Sequence, residues 1–359
     1  MKVCHFTSAH PSDDIRVFVK ECSSLADAGH EVYLVAKGDS RIENNVTVVG
    51  LGNPSGGRLT RMSKFAKMVY LKAKALDCDV YHFHDPELLP YGIKLKKAGK
   101  KVIFDSHEDV SAQIKDKPWI PKIIRGLVSS IYKAYETHAV KKFDAVVSAT
   151  PHIAETFKNR TEKVIIVNNY PKFDDIIYQT KPFSERERVI CYAGGISEIR
   201  GEKVMAEAMK DVDGTLFLAG NHKIGQIGAG EGLIEYIGLL DREGINNLYG
   251  RAMVGLCVLQ PASNYIDSQP IKMYEYMAAG LPYICSDFPA WKALTDKSGA
   301  GVCINPNSPK ELSAAINKIL DNPDMAQNMG TKGREAVEKH YTWEVEFKEL
   351  RRLYKCLSF

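Results

Sequence analysis

Short apolar runs rich in β-branched residues recur along this chain, and amphipathic stretches separate them. In the first half the runs are Val3–Thr7, Glu31–Ala36, Val46–Leu51, Val80–His84, Lys101–Asp105, Ala145–Ala149 and Val164–Val167. Apolar residues at helical spacing occupy the intervals near 15–28, 58–76, 87–98, 118–142 and 152–158. Such runs with helices between them predict a parallel sheet covered on both faces. The pattern breaks at 172–187, a polar and less periodic stretch, and then restarts. Strands are expected at Val189–Ala193, Thr215–Ala219, Leu233–Ile237, Val254–Leu259, Tyr283–Ser286 and Gly301–Ile304. Helices are expected near 200–210, 241–252, 271–279, 308–321 and 323–339. The fold class is therefore α/β, with two doubly wound halves, 1–172 and 173–341, joined by a linker. The stretch Thr342–Leu357 sets Leu350, Leu353 and Tyr354 on one helical face and is expected to pack back on the first half. Ligands of such sheets sit at the carboxyl ends of strands, so the loops after strands are where chemistry is sought.

Length agrees with two domains, since 359 residues exceed what one core usually holds. No run of 18 apolar residues predicts a spanning helix. The opening MKVCHFTSAH reads as a strand and polar loop rather than a signal peptide. Eight cysteines are scattered with no C-x-x-C pair, most of them inside apolar runs. They read as small core residues of a cytoplasmic protein, with neither disulfides nor zinc. The net charge of +4 is uneven: residues 1–172 hold 27 Lys/Arg against 19 Asp/Glu (+8), and the rest 21 against 25 (−4). The first half is thus suited to meet something anionic.

Candidate chemistry is densest between Asp267 and Pro282, DSQPIKMYEYMAAGLP. Pro270 suits a first helical turn and Gly280 a helix end, so free amides of the helix start would face a ligand. That is an anion site. Lys272 in the first turn opposes the helix dipole, a placement that a phosphate in front of it would explain. The segment resembles the E-x7-E motif and following M-A-A-G-x-P run of family 4 glycosyltransferases of the GT-B fold. The resemblance assigns Glu275 to the nucleotide ribose. It assigns Asp267, a shorter acid than the family's first glutamate, to the donor sugar. Gln269, Pro270, Ile271 and Lys272 fall at the donor phosphates.

A second segment, Cys191-Tyr-Ala-Gly194-Gly195-Ile-Ser197-Glu-Ile-Arg200-Gly201, ends a strand in two glycines and starts a helix. Glycines let backbone approach a ligand closely. It resembles the family's G-R-x-x-x-E-K-G loop. Gly194, Gly195, Ser197 and Arg200 are the donor-site positions, with Arg200 matching the diphosphate-binding lysine. Gly195 stands where many members carry arginine, so one phosphate contact is missing, and Lys272 is a replacement. Gly220, Asn221, Leu239 and Leu240 resemble the loops bordering the nucleotide base.

In the first half, Val80-Tyr-His82-Phe-His84-Asp85 puts both histidines on one side of a strand. The string reads either as a metal site or as the family's D-x-x-H-x-H-D/N strand, which holds none. No further His/Asp/Glu set with metal spacing is evident, and no metal is expected. Asp77-Cys-Asp79 and Asp211-Val-Asp213 lie before strands, away from the ligand edge. His107, in Asp105-Ser-His107-Glu108, resembles the family histidine that faces the donor sugar. The resemblance thus gives His107, Asp267 and Arg200 as catalytic residues. The loop Ser8–Arg16 resembles an H-P-x-D-D-x-R stretch of a bacterial subgroup that builds surface polysaccharides. Asp13, Asp14 and Arg16 are candidates for the acceptor or the donor phosphate, although Asp14 also suits a helix N-cap, and His84 and Glu108 are candidates for the acceptor.

Residues 58–74 hold six basic residues and no acid, and 115–142 hold seven basic residues and two acids. Both stretches carry apolar residues at helical spacing. They read as helices able to lie on an anionic membrane, or as ordinary solvated faces. No nucleic-acid motif accompanies them. The resemblance implies a GT-B pair of domains facing each other across a cleft. It implies retention, a nucleoside diphosphate sugar donor (most often UDP) and a saccharide or lipid-linked saccharide acceptor. No cofactor is required, and the leaving diphosphate takes the acceptor proton. A nucleotide-sugar-binding partner subunit and a GT-B epimerase are the rival readings.

Overall fold

The computed structural model describes residues 1–117, 119–221 and 233–358. It divides into two compact units, Met1–Asn169 with Trp343–Phe359, and Tyr170–Thr342. In unit 1 the strands are β1 (Lys2–Pro11), β2 (Glu31–Lys37), β3 (Arg41–Glu43), β4 (Val46–Gly50), β5 (Val80–Phe83), β6 (Lys101–Ser106), β7 (Ala145–Ser148) and β8 (Val164–Ile166). Their order is β3-β4-β2-β1-β5-β6-β7-β8, all parallel except the β3–β4 edge pair. Unit 2 holds β9 (Val189–Ala193), β10 (Thr215–Ala219), β11 (Ile234–Gly238), β12 (Val254–Cys257), β13 (Tyr283–Ser286) and β14 (Gly301–Ile304). Their order is β11-β10-β9-β12-β13-β14, all parallel. In each sheet the order reverses beside one strand, β1 in unit 1 and β9 in unit 2, and β5, β6, β9 and β12 are buried along almost their whole length.

Local chemistry sets several helix starts. Thr150 and Ser308 cap helices Pro151–Phe157 and Pro309–Leu320, each accepting from an amide three residues on, with proline at the first helical position. Asp14 caps the π-helical stretch Ile15–Cys22 by accepting from the Arg16 and Val17 amides.

The structure departs from the sequence pattern in places. The stretch 172–187 is part of unit 2 rather than a free linker, because Ile176 and Phe183 are buried in its core. The helix expected over 118–142 begins only at Lys122, and Val110–Asp116 forms a separate helix before it. Residue 118 lies outside the described residues. Helix Pro289–Ser298 and the short strand β3 were not expected.

Helix Trp343–Leu357 belongs to unit 1, where Trp343, Leu350 and Tyr354 are fully buried beside Val3, Val17 and Val32. Each such side chain contributes roughly 1.5–3 kcal/mol of transfer free energy. The Tyr354 hydroxyl also lies 2.9 Å from His82 Nδ1 and 3.2 Å from His5 Nε2. Tyr354→Phe removes the bonds and leaves two buried ring nitrogens unsatisfied. It is expected to destabilise unit 1 by about 1–3 kcal/mol, read from the urea midpoint. An unchanged midpoint would show that the hydroxyl contributes nothing to stability.

Candidate functional site

In unit 2 three loops at the carboxyl edge of the sheet converge. After β9 the chain turns at Gly194 and Gly195, after β10 at Gly220, and after β11 at Gly238. Gly194 N donates to Ala219 O (2.8 Å), Ile196 N to Asn221 O (3.0 Å) and Gly220 N to Gly238 O (2.8 Å). A Cβ on Gly220 would fall 1.8 Å from Gly194 O, and Gly220 has φ +148°, so only glycine permits this approach.

Two cations close over the Gly194–Gly195 turn. Lys272 Nζ would sit 3.1 Å from a Cβ on Gly194, and Arg200 Nη1 3.0 Å from a Cβ on Gly195. Lys272 Nζ lies 3.7 Å from the centre of the Tyr192 ring, and the Tyr192 hydroxyl donates to Gly195 O at 2.8 Å. The Arg200 guanidinium lies against the Tyr192 and Tyr265 hydroxyls. Lys272 is the second residue of helix Ile271–Ala279, whose first amides have no intrahelical acceptor. Pro270 is the N-cap rather than the first helical residue: its ψ is 118° and its carbonyl already accepts from Met273 N at 3.1 Å.

Among the described residues, Lys272 Nζ, Gln269 Oε1 and Arg242 Nη1 are shielded from solvent and have no hydrogen-bond partner. Each such atom costs about 1–3 kcal/mol unless something meets it. Two donors and a helix start aimed at one turn are what a diphosphate meets best. Glu275, one turn on, accepts from Arg242 Nη2 and the Tyr249 hydroxyl, each at 3.0 Å. Burial, followed by the Glu275 charge, pushes the Tyr249 phenol well up, so it stays a donor. Asp267 is exposed at the end of helix Ser263–Ile266, Ser197 and Leu240 are half-buried, and Asn221 and Leu239 are exposed.

In unit 1 the carboxyl end of β1 is held by Asp85, which accepts from Thr7 Oγ1 at 2.8 Å and Ala9 N at 3.1 Å. It presents His10, whose Nδ1 lies 2.9 Å from Asp14 Oδ2. Beside it His107 Nε2 lies 2.9 Å from Asp105 Oδ2, and the two imidazole centres are 4.9 Å apart. Two histidine–carboxylate pairs thus stand together at the carboxyl ends of β1 and β6, both partly open to solvent. Such pairs can hold a hydroxyl or carry its proton. Asp13 and Glu108 are exposed nearby in sequence.

Two expected ligand-binding residues lie beneath this surface. Arg16 is buried: Nε and Nη2 donate to the Asp105 carboxylate at 3.1 Å each, Nη1 donates to Val167 O, and Glu21 lies 3.1 Å from Nε. His84 is also buried, with Nδ1 3.2 Å from Asp105 Oδ2 and Nε2 3.1 Å from His5 Nδ1. Both are turned to the buried Asp105 carboxylate rather than to solvent. The strand histidines do gain acidic neighbours: Glu21, His82, His84 and Asp105 bring ligand-type atoms within 4.8 Å of one another. Burial would raise Asp105, but Arg16 and then His107 hold it well below the carboxylate range. Burial and Asp105 push Glu21 well up, and burial pushes His84 down.

The comparisons with known proteins decide the family. Residues 16–169 match the model of "Glycosyltransferase Family 4" and 173–336 that of "Glycosyl transferases group 1". The chain belongs to the family 4 glycosyltransferases. An uncharacterized glycosyltransferase of Methanocaldococcus jannaschii is 22% identical over 297 residues, 75% of this chain and 82% of that protein. Among solved structures, sucrose-phosphate synthase from Thermosynechococcus elongatus aligns with a TM-score of 0.77 at 17% identity, over 99% of each chain. HepE of Anabaena with UDP-glucose aligns at 0.72 and 12%, over 100% of this chain and 99% of that one. Both are similar to this chain in fold, the GT-B pair of Rossmann-like domains.

For this glycosyltransferase, sequence reasoning did not single out His10, Arg242 or Tyr249. His10 had a signal, its position four residues before Asp14 at a strand end. Arg242 and Tyr249 had none, since only folding sets them against Glu275. Burial would lower the His10 pKa, but the Asp14 bond and the Asp85, Asp14 and Asp105 charges raise it above its ordinary 6.5. A folded pKa above the unfolded one stabilises below the unfolded value, and this is lost as pH rises through the folded value. An NMR titration should therefore place the His10 midpoint above 6.5, and Asp14→Asn should move it down. A midpoint indifferent to Asp14→Asn would break the pairing.

Proposed function

We propose that this family member is a retaining enzyme that moves a hexosyl group from a nucleoside diphosphate sugar to a hydroxyl of a saccharide or lipid-linked saccharide. The observation that carries this reading is the seat in unit 2. Lys272 Nζ, shielded from solvent and without a hydrogen-bond partner, and Arg200 close over Gly194–Gly195 at a helix start. Uridine as the base draws support from HepE, which was solved with UDP and with UDP-glucose.

In this reading Arg200, Lys272 and the Pro270–Lys272 helix start take up the charge that develops on the departing diphosphate. Lys272 and Arg200 do the work of a divalent metal, so none is required. Glu275, held by Arg242 and Tyr249, accepts from the ribose hydroxyls. Leu239 borders the base, while His107 and Asp267 hold the sugar. As the C1–oxygen bond to the diphosphate breaks, its electron pair leaves with the phosphate. The acceptor oxygen bonds to C1, and its proton passes to a phosphate oxygen. Asp13, Asp14, His10 and Glu108 serve the acceptor, and Arg16 and His84 support them from below. Bacterial polysaccharide or glycolipid synthesis in the cytoplasm is the setting that fits this chemistry.

The test is a thermal-shift screen of nucleotide sugars with the purified chain. A cognate donor raises the unfolding temperature. Lys272→Ala and Arg200→Ala should each weaken its binding about 10–100-fold, the loss of one charge-assisted hydrogen bond. If no nucleotide sugar stabilises the protein, the reading is wrong. Sugar release that needs an added acceptor distinguishes transfer from epimerisation, and binding without any turnover would point to a partner subunit.

A further inference from the structure

Glu21, His82, His84 and Asp105 meet inside unit 1. Glu21 lies in the helical stretch Ile15–Cys22, His82 in β5, His84 just after it and Asp105 in β6. Ligand-type atoms of all four lie within 4.8 Å of one another, and all four side chains are buried. Along the chain only the two histidines are close together, so the sequence alone offers no metal spacing. Folding supplies the two acids.

Three atoms of this cluster lack a hydrogen bond. Both Glu21 oxygens and His82 Nε2 are shielded from solvent and have no hydrogen-bond partner among the described residues. Arg16 Nε, 3.1 Å from Glu21 Oε1, answers part of the charge. A carboxylate closed off from water needs more than one such contact. The histidines are meanwhile held by their far nitrogens. His82 Nδ1 lies 2.9 Å from the Tyr354 hydroxyl, and His84 Nε2 lies 3.1 Å from His5 Nδ1. Metal-ligating histidines are oriented in this way, one nitrogen bonded and the other left for the ion. His84 Nδ1 lies 3.2 Å from Asp105 Oδ2, and Arg16 and His107 fix that carboxylate from its other sides.

We propose that Glu21, His82, His84 and Asp105 form a binding site for one divalent transition-metal cation, zinc by preference. Glu21 and Asp105 give one oxygen each, His82 its Nε2 and His84 its Nδ1. Two imidazoles and two carboxylates suit zinc, which takes four ligands in a tetrahedron at about 2 Å. Ligand atoms on such a tetrahedron lie about 3.3 Å apart. The His84–Asp105 pair already has that spacing, and no pair needs to close by more than about 1.5 Å. With four protein ligands and no side open to solvent, the ion is structural. It ties the Ile15–Cys22 stretch to β5 and β6 and takes no part in sugar transfer. The inference stands on unit 1 alone and does not depend on the nucleotide-sugar reading.

The test begins with the full chain, purified without chelator, dialysed against metal-free buffer and analysed for bound metals by plasma mass spectrometry. Stoichiometric zinc is expected. Stripping the ion with a chelator should lower the unfolding temperature, and zinc alone should restore it where magnesium alone does not. Cobalt(II) in place of zinc should give the visible absorption bands of a tetrahedral ion. Glu21→Gln and His82→Gln should each lose the ion on dialysis. Tyr354→Phe, one hydrogen bond removed from the ion, should weaken zinc binding about 10–100-fold. Glu21 and His82 are buried, so their variants are checked for folding, and the metal content and cobalt spectrum of the unaltered chain decide without them. A chain that carries no transition metal and is stabilised by neither zinc nor cobalt overturns the proposal, leaving a proton on Glu21 as the occupant. So does stoichiometric zinc retained by folded Glu21→Gln and His82→Gln, which would place the ion elsewhere.

Discussion

The buried carboxylate of Asp105 is the interaction around which unit 1 is arranged. A sheet covered on both faces ordinarily leaves polar chemistry to the strand ends, yet β6 ends in a fully buried acid. An uncompensated charge there would cost several kcal/mol. Arg16 answers it through two hydrogen bonds and, in doing so, locks the helical segment after β1 to β6. His84 and His107 take up the remaining capacity of the same carboxylate. The orientation of His107, the exposed member, therefore follows from a network whose other members never meet solvent. Such a network fixes a ring more firmly than a single surface hydrogen bond does.

Unit 2 gathers two cations, Lys272 and Arg200, over one turn. Gly220 lets the β10 loop press against Gly194 O, and Gly194 and Gly195 leave the space above them to Lys272 and Arg200. The Tyr192 ring under Lys272 gives its ammonium a favourable face without neutralising it. The result is a preorganised positive site that retains its capacity for an anion.

Much of this was legible because a parallel sheet writes itself as uninterrupted apolar runs. Those runs gave the core of every strand except β3, three residues of polar edge. Helix Pro289–Ser298 was missed although Pro289 and Gly299 mark its ends. The helix start at Lys272, the twin glycines and Glu275 were readable because their partners lie close in sequence or are implied by helix geometry. Burial of Arg16 and His84 was not readable: Asp105 lies 89 residues from Arg16, and polar residues in a strand-end loop look alike whether they face ligand or core.

Gly195 shows how a departure from the family pattern becomes intelligible in space. Where many members carry arginine, this chain has none, which from sequence reads as a lost phosphate contact. In the fold, the volume that a side chain at 195 would enter is already taken by Arg200, whose Nη1 would lie 3.0 Å from the added Cβ. Arg200 stands at the position of the family's lysine, and its planar guanidinium is broader than an ammonium. Glycine at 195 and arginine at 200 are therefore one arrangement rather than a loss and an unrelated exchange. A guanidinium donates along two edges, so Arg200 can meet two phosphate oxygens from one anchor, with Lys272 opposite it. The positive charge over the turn is kept, and it is delivered from the helix side instead of from the turn itself.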